Sequence, residues 1–205
     1  MKKVIQLPAE FDYNLLIQAL EGYKKPRDKI RGLISSGEIL RVKKGIYVLG
    51  KHYGKPYNKF ILANLIYGPS YITGQTALAF WNMIPERVEL VISLTTKRKK
   101  IFETPVGRFS YVVGPEKVFG LGVRLEDAGS RKNILIASPE KALCDLAAMQ
   151  PNIITQKAMR EFLGLMRLDD HFHNALDFTL MKEIRDGYRR KNVKLLLDCL
   201  ERSDV

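Results

Sequence analysis

Apolar side chains recur with a helical period near the start of the chain and again at its end, with strand-like runs between. From Glu10 to Glu21, the residues Tyr13, Leu16, Ile17 and Leu20 fall at i, i+3, i+4 and i+7, one stripe of an amphipathic helix that Gly22 would stop. A second helix is expected from Pro26, which suits the first helical position because its missing N–H would have no partner there. Asp28 favours the positive end of that helix dipole, Ile30, Leu33 and Ile34 form the buried stripe, and Gly37 ends it. Arg27, Arg31 and Ser35 then follow one another along the outward face. Glu38 to Val48 alternates imperfectly around Lys43-Lys44-Gly45, the pattern of a two-stranded hairpin with a basic tip. The stretch from Gly50 to Pro56 carries two glycines and a proline and reads as a linker.

Beyond it, Asn58 to Tyr67 predicts a mostly buried helix and Gln75 to Asn82 another. Glu89 to Thr96 is rich in β-formers, Ile101 to Val113 reads as strands around Pro105-Val106-Gly107, and Lys132 to Ala137 as a short strand. Ser138-Pro139 caps and starts a helix that runs to Met149, and helical patterns follow near 155–167, 174–188 and 191–202. The expected architecture is α+β: an N-terminal winged helix-turn-helix over 1–54, then a mixed α/β domain over 55–205 that ends in helices. Only two clear helices precede the hairpin where three are usual, which reduces the middle one to a turn around Tyr23-Lys24-Lys25.

Charge changes this picture from architecture to partner. Lys and Arg total 34 against 22 acids in 205 residues, a net +12. Residues 1–55 alone carry 12 basic and 5 acidic side chains, so over half of the excess sits in the first quarter, while 151–205 holds 10 and 9. Such a balance suits a partner rich in phosphate. Two cysteines, Cys144 and Cys199, lack neighbours at ligand spacing, so neither a disulfide framework nor a zinc cluster is expected, and a reducing cytoplasm fits. The apolar run at the start is too short for a signal peptide and no 18-residue apolar span occurs, so no membrane partner is expected.

Candidate chemistry is thin. There is no Gly-rich phosphate loop, nucleophile elbow or zinc-protease pair, and no cofactor, metal or enzymatic activity is expected. His171 and His173, beside Asp169 and Asp170, read as caps and solvated groups before they read as metal ligands. Glu140 and Asp145 lie near a strand end, where nucleases place metal-binding acids. More simply, Glu140 partners a helix dipole and Asp145 is a surface or core-capping acid. The run Lys97-Arg98-Lys99-Lys100 is either a solvated hairpin loop, a second phosphate-contacting patch or a docking surface.

In a winged helix, the basic helix enters the major groove and the hairpin lies along the phosphates. Arg offers a planar fork to guanine and Lys a point charge to phosphate. The candidate DNA contacts are therefore Lys24, Lys25, Arg27, Lys29, Arg31 and Ser35 from the turn and second helix, with Arg41, Lys43 and Lys44 from the wing. The bland alternative is a solvated basic surface.

Several segments in order, Ile34 to Val48, Asn64 to Thr73, Ala77-Leu78, Thr95 to Phe102 and Ala137 to Asp145, resemble AbiEi-type antitoxins. These are two-domain regulators of type IV, abortive-infection toxin–antitoxin systems, and the resemblance spans roughly 10 to 150. It implies a winged-helix domain that binds operator DNA and represses its own operon. A second domain would counter a nucleotidyltransferase toxin without forming a stable complex with it. The resemblance places DNA contacts at Arg27, Arg31, Arg41, Lys43 and Lys44, and a further basic stretch at Lys97 to Lys100. A stand-alone regulator without a toxin, and a metal-dependent nuclease built on Glu140 and Asp145, are the alternatives.

Overall fold

The computed structural model describes residues 6–85, 89–129, 132–168 and 175–201. Among the described residues a short strand precedes the first α-helix. β1 (Glu10–Asp12) pairs antiparallel with a later strand, Phe11 opposite Tyr47, and only then does α1 (Tyr13–Ala19) begin. The helical period of Tyr13, Leu16 and Ile17 is real, but the expected start at Glu10 is not. Asp12 is the N-cap, its carboxylate accepting the Leu15 N–H at 2.8 Å, and a residue with extended backbone cannot sit inside the helix it caps. Residues 20–25 form no helix. α2 (Pro26–Ser35) starts on its proline and is followed by Gly37 at φ 72°, a left-handed conformation that glycine adopts without a Cβ clash.

β2 (Ile39–Lys43) and β3 (Ile46–Leu49) make the expected hairpin, turned at Lys44-Gly45, with an irregularity between Arg41 and Lys43. The small sheet has the order β1-β3-β2. It closes over a core of Leu7, Phe11, Leu16, Leu20, Ile30, Leu33, Ile39, Tyr47 and Leu49. The expected linker is structured: a 3-10 turn at Lys51–Tyr53 brings the Tyr53 hydroxyl to Glu38, to which it donates at 2.8 Å. That bond and burial push the Tyr53 phenol up to about 12.

α3 (Lys59–Ile66), capped by Asn58, leads into β4 (Ser70–Ile72) and α4 (Gly74–Phe80). β5 (Val91–Thr95), β6 (Lys100–Thr104), β7 (Gly107–Val113), β8 (Val123–Asp127) and β9 (Asn133–Ala137) complete a six-stranded mixed sheet of order β6-β7-β5-β4-β9-β8. Four helices follow: α5 (Pro139–Ala148), α6 (Gln156–Met166), α7 (Phe178–Tyr188) and α8 (Lys191–Leu200). The molecule is α+β, with strands gathered in the middle and helices at the end. The last helical segment but one begins at Phe178 rather than 174, and Asp169, Asp170, His171 and His173 lie outside the described residues.

Val42 and Val48, from the small sheet, are buried in the larger apolar cluster and not in their own. The two cores are therefore locked face to face. Lys132 Nζ reaches Glu10 Oε2 at 2.8 Å and its backbone carbonyl at 2.9 Å, and the other oxygen of Glu10 accepts the Asn58 N–H. Glu10 is 4% exposed, so this ion pair is largely shielded from solvent.

Candidate functional site

α2 presents the outward face that its sequence spacing requires. Arg27, Arg31 and Ser35 are exposed, while Ile30 and Leu33 are buried. Arg31 is held by Asp28 at 2.8 Å, an i,i+3 pair whose side chains are 80% and 56% exposed. So exposed a pair contributes little and is readily exchanged for another anion. Lys24 and Lys25 are exposed on the turn before the helix, and Lys29 stands 5.9 Å from the centre of the Tyr23 ring. On the hairpin, Arg41 and Lys44 are exposed.

Lys43 departs from its expected role as a wing phosphate contact. Its ammonium turns inward, donating to the Ile66 carbonyl at the end of α3 at 2.8 Å and lying 5.0 Å from the centre of the Phe102 ring. It thereby pins the hairpin to the larger module. Burial, then the Lys100 and Lys97 ammoniums, lower its pKa from the ordinary lysine value.

That last cause reveals a convergence the linear sequence conceals. Lys97 and Lys100, from the basic run that links β5 to β6, meet Lys43 of the hairpin over one aromatic cluster. Lys97 Nζ donates to the Gly68 carbonyl at 2.6 Å and stands 5.7 Å from the Tyr67 ring. Lys100 stands 5.3 Å from the same ring and 5.8 Å from Phe102. Tyr67, Phe102 and Tyr111 pack against one another with centroids 5.2 to 5.9 Å apart. Aromatic faces and carbonyls stabilise each cation singly. No ion pair joins any of the three ammoniums to an acid among the described residues. Lys97 to Lys100 are exposed, so the unneutralised charge faces solvent. The expectation of two separate basic stretches thus gives way to one surface.

The acids weighed for nuclease chemistry are differently placed. Asp145 and Lys141 are fully buried on α5, paired at 2.9 Å. Asp145 Oδ1 also accepts the Tyr188 hydroxyl at 2.6 Å, and Oδ2 accepts the Tyr71 hydroxyl at 2.9 Å and the Thr73 hydroxyl at 2.6 Å. Three hydroxyls thus donate to its two oxygens, while the Lys141 ammonium is held by charge and makes no hydrogen bond of its own. Lys141 lies 5.0 Å from the Tyr188 ring and 5.6 Å from that of Tyr71. Burial first, then the Asp145 charge, raises the pKa of both phenols far above the ordinary value. Glu140 accepts the Ser138 hydroxyl at 2.6 Å and the Asp177 N–H at 3.2 Å, which ties the start of α5 to that of α7. Both acids are buried and hydrogen-bonded to other elements, Asp145 to Tyr71, Thr73 and Tyr188 and Glu140 to Ser138 and Asp177. No cluster of three His, Cys, Asp or Glu suited to a metal occurs among the described residues, and none of their helices is long and apolar enough to cross a membrane.

Fold and surface together define an α+β protein whose small helix-and-hairpin unit is clamped to a larger mixed sheet, with cations gathered where the two meet. Neither a family model nor a curated protein sequence matches the chain. Among solved structures it is similar to the crystal structure of the RV2827C protein from Mycobacterium tuberculosis, with a TM-score of 0.62 at 14% identity, over 97% of this chain and 74% of that one. At that identity the likeness is one of fold. It extends across both modules.

Proposed function

We propose that the chain is a DNA-binding transcriptional autorepressor whose residues 1–54 form a winged helix with α1 and α2 as its helices. The order β1-α1-α2-β2-β3 and the sheet order β1-β3-β2 support that reading. In it α2 enters the major groove, Arg27 and Arg31 read base edges, and the exposed wing residues Arg41 and Lys44 follow the phosphates. The observation that carries the proposal is the meeting of Lys97 and Lys100 with the wing lysine, without a neutralising acid. Like charges held this close are stabilised when a polyanion replaces the missing counter-charge. Residues 55–205 would then add phosphate contacts beside the wing.

The resemblance to AbiEi-type antitoxins extends the proposal to antitoxin activity against a nucleotidyltransferase toxin, exerted in the cytoplasm without a stable complex. A toxin gene beside this one, whose product arrests growth unless this chain is co-expressed, separates the antitoxin from a stand-alone regulator. For DNA, the test is competitive binding to the region upstream of the gene. Changing Arg27 and Arg31 to Ala should reduce discrimination against unrelated DNA by about 1–3 kcal/mol for each arginine that forks onto a base edge. Discrimination that survives both changes removes α2 as the reading helix.

A further inference from the structure

The C-terminal 55 residues are almost neutral in total, yet the fold segregates their charge. Arg185, Arg189, Arg190, Lys191 and Lys194 surround one concave cup of about 500 Å³ at the junction of α7 and α8, with Asp186 as its single acid. Asp186 is already held by Arg185 at 2.8 Å. Arg189, Arg190, Lys191 and Lys194 are exposed and make no ion pair with an acid among the described residues. The first turn of α8 also carries no acid, so the peptide dipoles add to the positive potential instead of offsetting it.

Arg190 belongs to a second concavity as well. A cleft of about 270 Å³ is lined by Arg190, Lys99, Tyr188 and the buried Asp145, with apolar walls that include Leu94 and Val112. One N–H of Arg190 is fixed on the Ala148 carbonyl at 2.8 Å, so its guanidinium is held at the boundary of cup and cleft. Guanidinium forks match phosphate oxygens in pairs. The apolar walls have nothing to offer a bare anion, but they suit the flat face of a base or a sugar. At 270 Å³ the cleft lies just below the usual range for small-molecule pockets, which admits one nucleoside and not a duplex.

We propose that this face binds a nucleotide, its phosphate in the cup of Arg189, Arg190, Lys191 and Lys194 and its nucleoside in the cleft beside Tyr188. The ligand is a free nucleoside monophosphate or the phosphorylated end of a strand, two sources of the same chemistry. The site is separate from α2 and the wing and does not depend on the DNA reading.

Titration calorimetry of the full chain tests it with adenylate, guanylate, inorganic phosphate and a 5′-phosphorylated oligonucleotide. A nucleotide or the oligonucleotide should bind more tightly than inorganic phosphate, and the tighter of the two names the source. The double variant Lys191→Glu, Lys194→Glu alters only exposed side chains and should weaken binding by about tenfold or more, the equivalent of a single charge-assisted contact. Arg190→Ala should do the same, with its melting curve recorded because the Ala148 carbonyl loses its donor. The Arg27→Ala, Arg31→Ala variant should bind the mononucleotides as the parent does, which separates this site from operator binding. No binding of any ligand, equal affinity for inorganic phosphate, or affinity unchanged in the Lys191→Glu, Lys194→Glu variant would overturn the proposal.

Discussion

Lys141 and Lys43 both stand over aromatic rings, and their surroundings give them opposite roles. Lys141 is fully buried, 2.9 Å from Asp145, between the rings of Tyr71 and Tyr188. Lys43 is partly buried, anchored on a carbonyl, and crowded by Lys97 and Lys100 with no acid to answer them. In the first case charge is neutralised inside the molecule and organises helices. In the second it is left over, at a surface, between two modules. The lesson is that counting cations identifies neither; the presence or absence of a neutralising partner does.

The comparison is broken most strongly at Asp145. Removing its carboxylate in Asp145→Ala leaves the Lys141 ammonium buried without a partner, and urea unfolding should show a loss of about 3–5 kcal/mol. Replacing both members, as in Lys141→Met with Asp145→Leu, removes the uncompensated ammonium and should recover only part of it, because the Tyr71, Thr73 and Tyr188 hydroxyls still lose their acceptor. A single variant as stable as the parent would contradict the buried-pair description.

High pH acts on the same network through its phenols. Their pKa values are raised by burial and by Asp145, so the protonated form is favoured by folding. That contribution is intact below the ordinary phenol value near 10 and is lost as pH rises beyond it. Tyr53, raised to about 12, adds a window from about 10 to 12 in the small module. Unfolding monitored by tyrosinate absorbance should therefore show stability falling steadily above pH 10. A flat profile there would mean that the hydroxyls do not meet Asp145 and Glu38 as described.

At the unneutralised cluster the effects are on binding. Changing Lys97 and Lys100 to Ala should flatten the dependence of log affinity on log salt for DNA by about two units if each meets a phosphate. The fold should be unaffected, because both side chains are exposed. The smallest effects distinguish the two wing lysines. Lys44→Ala should flatten the slope by about one, whereas Lys43→Met, which keeps its packing on Phe102 and gives up an inward-facing charge with its bond to the Ile66 carbonyl, should leave it nearly unchanged. Equal effects at both positions would return Lys43 to the phosphates.

Elements with local signals were legible in the sequence. Pro26 and Ser138-Pro139 marked the starts of α2 and α5, and the runs before and after Pro105-Val106-Gly107 marked β6 and β7. What was missed depends on distant partners. Glu10-Phe11-Asp12 lies just before the stripe of Tyr13, Leu16 and Ile17 and is too short to show an alternation of its own; pairing with β3 and the cap at Asp12 make it a strand. β4 spans three residues, too few to register as a pattern, and exists because it lies between β5 and β9. The positively charged stretches at 43–44 and 97–100 were visible singly. Their union was not, because it is made by the turn after α3, whose carbonyls at Ile66 and Gly68 draw both lysines to Tyr67 and Phe102. Lys141 and Asp145, four apart on an apolar helix face, did carry a signal of a buried pair; Tyr71, Thr73 and Tyr188 come from other elements and gave none.

The central claim is that the leftover charge at the meeting of wing and sheet faces DNA. Its most direct test is the affinity of the full chain for duplex DNA from upstream of its own gene, measured across a range of salt concentrations. The account predicts specific binding that weakens steeply with salt, with a slope reduced by about two in the Lys97→Ala, Lys100→Ala variant. Absence of binding at low salt, or the same slope in that variant and the parent, would contradict it.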